Sequence, residues 1–408
     1  MKIRSITLFA ELAIPFNNAH LAQLGEAARA LSQSYQDAGY EVQTLRLATD
    51  LWGPLGDHEA QKRAVDIVKE LEARCRDAGF EYVAIGPAGP GMQRHVPELL
   101  AATESVFVTC HIAKPEEGRI DGEAIRAASQ IIREASDIED GFGNLRFAAL
   151  ANVRAGTPFF PAAYWHKGPP AFAIATEAAD LAVVATEGTQ DAAVAHARLS
   201  GMVESHGRRL QEIGFQAVAK QDLDFLGIDF SPAPYPSPEI SIGAALEALS
   251  QNRLGSPGTL TAAALLTDAI QRADFLQTGF CGLMLPVLED VVLASRAAEG
   301  TLRISDLLQW SAVCGTGLDT VPLAGDVSEA SLAALLFDVA ALSVRLNKPL
   351  TARLMPLPGK AAGDPVHFDF SYFADGGVLE LAACDRDTAY RETTALQLRA
   401  LQQQLNER

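Results

Sequence analysis

A cysteine set among glycines is an unusual use of a reactive side chain. In "SAVCGTGLDTVPL", residues 311–323, Cys314 is followed by Gly315, Thr316 and Gly317, with Asp319 five residues on. Glycines permit positive φ and close approach of the backbone to a ligand. Successive N–H groups in such a turn form an anion nest, and the same field favours a thiolate. Cys314 is therefore read as a nucleophile or acid–base group. Gly315, Thr316 and Gly317 form its ligand-binding turn. Asp319 orients a base, holds a cation or pairs with an arginine. The competing reading is a glycine-rich helix terminus around a small buried cysteine.

Three further loops have the composition of a site. In "ANVRAGTPFFPAAYW", residues 151–165, Arg154 offers a two-pronged fork for a carboxylate or phosphate. Thr157, Phe159, Phe160, Tyr164 and Trp165 follow it, a dense group that either walls a pocket or packs the loop. In "GIDFSPAPYPSPEISIGAALE", residues 227–247, prolines stiffen the chain around Asp229, Ser231, Tyr235 and Glu239. Ser237 reads there as a helix N-cap, and Asp229 as a second carboxylate helping Cys314. In "KPLTARLMPLPGKAAGDPVHFDFSYF", residues 348–373, Arg353 lies on a strand, and His367 and Asp369 share a strand face. Two ligands do not make a metal site, so neither metal nor cofactor is expected. Cys110 and His111 are adjacent on a strand and point to opposite faces, so they form no thiol–imidazole pair. Glu289 and Asp290 read as acids opening a helix, favoured by its dipole.

These loops require elements to hold them. Strand-like stretches ("RSITLFA", "YEVQTLRLA", "EYVAIGP", "SVFVTCHI", "LRFAALAN", "AFAIATE", "GFQAVAKQ") alternate with helical ones that end on glycine caps. Apolar strands buried on both faces predict a mostly parallel α/β sheet or barrel. The 408 residues are read as one domain, 1–408, closing with a leucine-rich helix over 386–406 whose apolar face suggests a homodimer. The four loops are expected to converge on one cavity beyond the strand ends.

Bulk composition narrows the function. Lys and Arg number 33 against 51 Asp and Glu, a net charge of −18 with no basic run, which argues against a nucleic-acid backbone as partner. No uninterrupted apolar stretch is long enough for a transmembrane helix, and the opening "MKIRSITLFAEL" is not expected to be a secretory signal. The five cysteines are an odd number with no C-x-x-C pair, which fits free thiols in a cytoplasmic protein.

"KIRSITLF", "LANVRAGTPFFPAAY", "GIDFSPAPYPSPEISIGAALE", "GFCGLMLPVLEDVVLA" and "SAVCGTGLDTVPLAGD" together resemble an uncharacterised family, domain of unknown function number 711. The resemblance implies a fold like that of pyruvate formate-lyase and anaerobic ribonucleotide reductase, the glycyl-radical enzymes. That fold is a ten-stranded α/β barrel with a finger loop in its centre, and "VCGTG" with Cys314 is the candidate for that loop. The pattern departs at the C-terminus, where only "DGG", residues 375–377, stands in place of a glycyl-radical segment. Non-radical chemistry is therefore expected: an enzyme acting on a small anionic metabolite, lyase-like or hydrolytic. The alternative is a metabolite-binding or regulatory protein using the same pocket without catalysis.

Overall fold

The computed structural model describes residues 1–56, 61–218, 222–384, 390 and 392–401. Its main sheet includes β1 (Lys2–Phe9), β2 (Leu45–Ala48), β3 (Tyr82–Pro87), β4 (Val106–Ala113), β5 (Arg119–Asp121), β6 (Phe147–Ala151), β7 (Ala171–Glu177), β8 (Asp224–Ala233), β9 (Gly317–Ala324) and β10 (Leu350–Leu357). One continuous path runs β8-β7-β1-β2-β3-β4-β6-β10-β9. The strands β1, β2, β3, β4 and β6 are mutually parallel, while β7 with β8 and β9 with β10 run the opposite way. Strand starts from one group therefore meet strand finishes from the other at the same end of the sheet.

The two faces of the sheet are packed differently. On β1, Ile6 and Leu8 join Leu24 and Leu31 of the helix Asn18–Asp37 in the main core. Phe9 turns to the other face and packs with Phe160, Ala163 and Ala173. This period-two alternation is what makes an apolar strand a partition between two cores. Helices cover the outer face. The inner face is covered by the aromatic loop 153–165, anchored where Thr7 Oγ1 donates to Pro158 O at 2.9 Å.

A closed ten-stranded barrel is not formed: among the described residues the ladder path ends at β8 and β9. The chain at 276–288 spans that gap through isolated bridges, Ile228 with Gln277 and Pro286 with Asp319. Asp229 holds this segment in place. Its Oδ2 accepts from Phe280 N at 2.7 Å, and its Oδ1 from Cys281 N at 2.9 Å and from the Ser231 hydroxyl at 2.7 Å. Gly279, at φ +66°, has no room for a side chain, because a Cβ there would lie 2.1 Å from Asp229 Oδ2.

Three local expectations are corrected. "GFQAVAKQ" is not a strand: its described part continues the helix Ala192–Val218, because the apolar spacing of that helix runs on through Ile213 and Ala217. The helix after the proline-rich loop is capped by Ser241, whose side chain accepts from Ala244 N, rather than by Ser237. Within 386–406, Ala395–Gln397 form a strand antiparallel to β5 rather than part of a helix; residues 386–389, 391 and 402–406 lie outside the described residues.

Asp229→Ala takes the carboxylate acceptor from the buried backbone N–H groups of Ser231, Phe280 and Cys281, at about 1–3 kcal/mol for each left unpaired, before relaxation. Urea denaturation is expected to show a loss of about 3 kcal/mol, and Gly279→Ala is expected to be destabilising in the same assay.

Candidate functional site

Three β-bulges and shifts of register lie at the same end of the sheet, and they aim charged side chains inward. On β1 the pairing with β7 jumps from Ile3 to Ser5, so Arg4 is the extra residue. Between β9 and β10, Asp319 and Thr320 together oppose Arg353, and Thr320 takes φ +43° to allow it. The β7–β8 register also shifts on approaching Glu177. A bulge redirects a side chain that regular pleating would send to the other face.

The result is a buried chain of alternating charges. Arg4 bonds Glu177 at 3.1 Å and Glu289 at 2.6 Å. Arg353 bonds the other oxygen of Glu289 at 2.8 Å and Asp319 Oδ1 at 2.6 Å. Gln43 adds a donor to Glu177 at 2.6 Å. Burial opposes the charge on both arginines, but the carboxylates more than offset it, so the pKa values of Arg4 and Arg353 are raised. Burial also pushes the Asp319 carboxyl up, against the pull of Arg353 and with the help of the nearby Glu289 charge.

Arg46 differs from the other two. It is 8% exposed. Its Nε donates to Thr44 Oγ1 at 2.9 Å, but its two terminal nitrogens have no hydrogen-bond partner among the described residues. Its guanidinium carbon lies 5.5 Å from the centre of the Tyr82 ring and 5.2 Å from that of Phe160, within cation–π range. Burial, then the neighbouring Arg4 charge, pushes its pKa down to about 10. A guanidinium held without a counter-ion in a buried place is costly, and an anion on its open fork would relieve that cost.

These groups line one cavity of about 80 Å³. Arg4, Arg46, Glu289, Asp319 and Arg353 supply its polar side, and Tyr82, Phe107, Phe160 and Tyr372 its flat walls. Each of the four loops singled out in the sequence reaches it, through Phe159 and Phe160, Ala233, Asp319, and Arg353 with Phe370.

Other residues of those loops lie elsewhere. Cys314 is fully buried in the main core, and Lys348 Nζ donates to its carbonyl rather than to its sulfur. Gly315 serves backbone packing, since a Cβ there would lie 2.7 Å from the carbonyl carbon of Gly282. A Cβ at Gly317 would meet Thr351 O at 2.5 Å, and Thr316 O accepts from Thr351 N. Arg154 sits on the surface, paired with exposed Glu116 at 2.7 Å and not with Asp319. The Thr157 hydroxyl donates to Arg154 O within its own turn. Asp229 and Ser231 bond each other and the segment at 279–282, outside the cavity lining. Burial pushes Asp229 up to about 6 despite these donors. Tyr235 lies edge-on to Tyr372, and Glu239 is exposed. His367 pairs with Asp375 at the surface at 2.6 Å. Among the described residues no group of three or more His, Cys, Asp or Glu is placed to hold a metal, and no helix is long and apolar enough to cross a membrane.

Sequence reasoning passed over Arg4, Arg46, Glu177 and Glu289. Of the two acids read as helix-openers, Asp290 does cap the helix Val291–Ala298, whereas Glu289 bridges Arg4 and Arg353. The available signal was an arginine inside each of two apolar strands, "RSITLF" and "TLRLA". A charged residue there is rarely buried without a partner.

The two kinds of arginine should separate in stability measurements. Arg353→Met strands the buried Asp319 carboxylate and leaves Glu289 with Arg4 alone, and is expected to cost about 3–5 kcal/mol in urea denaturation. Arg46→Met removes a charge with no ion-pair partner and is expected to leave stability within about 1 kcal/mol of the parent, or to raise it. A further check is alkylation of the native protein with peptide mapping: half-buried Cys384 is expected to react ahead of Cys314.

The comparisons with known proteins agree with one another. The family described as Uncharacterised ACR (DUF711) matches residues 1–372. A UPF0210 protein of Pyrobaculum islandicum is 31% identical over 347 residues, covering 80% of this chain and 76% of its own. One from Pyrobaculum arsenaticum is 32% identical over 347 residues, with the same shares of 80% and 76%. One from Lacticaseibacillus casei is 26% identical over 367 residues, covering 86% of this chain and 78% of its own. The match spans every strand that carries a cavity residue, and the chain belongs to the DUF711 family.

Proposed function

We propose that this protein is an enzyme acting on a small anionic metabolite, with Arg46 as the anion anchor and Asp319 as the group that moves a proton. The observation that carries this reading is the open fork of Arg46 in the same cavity as a buried carboxyl whose pKa is pushed up. Buried carboxyls with raised pKa values in clefts are the usual material of general acid–base catalysis. An arginine that fixes a substrate carboxylate also acidifies the adjacent carbon, so the chemistry favoured is proton abstraction or addition beside that carboxylate. This is the elementary step of a lyase or isomerase.

The roles of the other groups follow from their contacts. Arg353 restrains Asp319 through Oδ1, and Oδ2 has no hydrogen-bond partner among the described residues. Tyr82 and Phe160 hold the Arg46 guanidinium in place while leaving its terminal nitrogens open. The segment 276–288 supplies Met284 and Pro286 to the cavity wall. We read it as standing where a tenth strand would close a barrel, because it bridges both end strands.

A non-catalytic binding protein is the second reading. It is favoured by one observation: among the described residues no cysteine, histidine or serine lines the cavity.

The test is incubation with pooled soluble metabolites in D2O, read by mass spectrometry. The expected result is deuterium incorporation into, or conversion of, an anionic metabolite. Asp319→Asn should abolish it, and Arg46→Met should raise the concentration required. Thermal stabilisation by anions without exchange or conversion would support the binding protein instead. No stabilisation by any anion and no exchange would remove both readings.

A further inference from the structure

We infer that the cavity takes up a planar monoanion together with one proton, which settles on Asp319 Oδ2. This rests on the anion-site reading above and specifies its substrate class.

Charge count is the first support. Arg353 of β10, Glu289 before the helix Val291–Ala298 and Arg4 of β1 act on Asp319 of β9, and Arg46 of β2, Tyr82 and Tyr372 line the same cavity. Glu177 of β7 closes the chain through Arg4. Three arginines thus meet three carboxylates, and the unliganded site is neutral. A monoanion on Arg46 leaves a buried site with one net negative charge. A dianion leaves two, in a setting where unpaired charge is strongly penalised. Uptake of one proton restores neutrality for the monoanion only.

Hydrogen bonding says where that proton goes. Glu289 has each oxygen engaged by a different guanidinium. Glu177 takes both Arg4 and Gln43 on Oε2, and it does not line the cavity. Asp319 receives a single guanidinium nitrogen, on Oδ1. Of the two carboxylates that line the cavity, Glu289 and Asp319, Oδ2 of Asp319 is therefore the oxygen that can take a proton at least cost. Burial already pushes this carboxyl toward its neutral form.

Shape sets the rest of the class. The cavity of about 80 Å³ is walled by the rings of Tyr82, Phe107, Phe160 and Tyr372, which suit a flat body of few atoms.

The sign of the linkage is fixed. If binding takes up a proton, affinity falls as pH rises, by tenfold per unit wherever the free protein has Asp319 ionised and the complex has it protonated. The test uses a matched pair of planar probes, crotonate and fumarate, which differ by a methyl against a second carboxylate. Isothermal titration of the wild-type protein, in two buffers of different ionisation enthalpy, counts protons directly.

The expected result is about one proton taken up per crotonate, an affinity that falls about tenfold per pH unit wherever the free protein has Asp319 ionised and the complex has it protonated, and fumarate binding at least about tenfold weaker. Asp319→Asn should retain crotonate binding with no proton uptake and a flat pH profile. The wild-type proton count stands even if that variant folds poorly. Crotonate binding without proton uptake, or fumarate binding more tightly than crotonate, would overturn this inference and leave the anion site standing. Binding of neither probe would overturn both.

Discussion

The chain of charges from Glu177 through Arg4, Glu289 and Arg353 to Asp319 is the constraint on which this end of the molecule depends. Its members come from β7, β1, the turn before a helix, β10 and β9, and nearly all are removed from water. A buried pair of this kind is weak evidence for net stability, but losing one partner is severe. The bulges at Arg4 and at Asp319–Thr320 make sense in this light, since a regular ladder would separate these side chains onto opposite faces. Among the described residues Arg46 then stands out as the one cation of the cavity without a carboxylate partner, and the chemistry proposed for the site follows from that exception.

The alternation of strands and helices was legible in the sequence because it depends on local pattern. Most strands fall where apolar runs put them, including β7 at the stretch "AFAIATE". The failures were at boundaries where one pattern overlies another. "GFQAVAKQ" has strand composition, yet its described residues lie on the apolar face of a long helix. Apolar strands left sheet and barrel both open, the ten-stranded barrel was implied by resemblance, and the isolated bridges of 276–288 are a feature that no local pattern encodes.

The site was legible in its loops and less so in its residues. Asp319, Arg353 and Phe159 reach the cavity, as the composition of their loops suggested. Cys314, Asp229 and Arg154 do not, because glycines, buried acids and surface arginines each have an ordinary structural use. At Gly315 that use is contact with Gly282, and at Asp229 it is bonding the backbone at Phe280 and Cys281. The decisive arginines lay inside strands, where attention to loops does not look. Their partners are fixed by bulges and by pairings distant in sequence, which motif spacing cannot reveal.

That distance has a consequence for the order in which the molecule is made. Arg4 meets Glu289 across 285 positions of the chain, and Arg353 meets Asp319 and Glu289 later still. During synthesis the first strand must wait, its arginine hydrated, until most of the polypeptide has left the ribosome. Contacts of such long range form slowly because loop closure precedes any gain from them. The cavity is thus among the last parts of the fold to exist, and a truncated or stalled chain carries its amino-terminal arginines without the carboxylates meant to meet them.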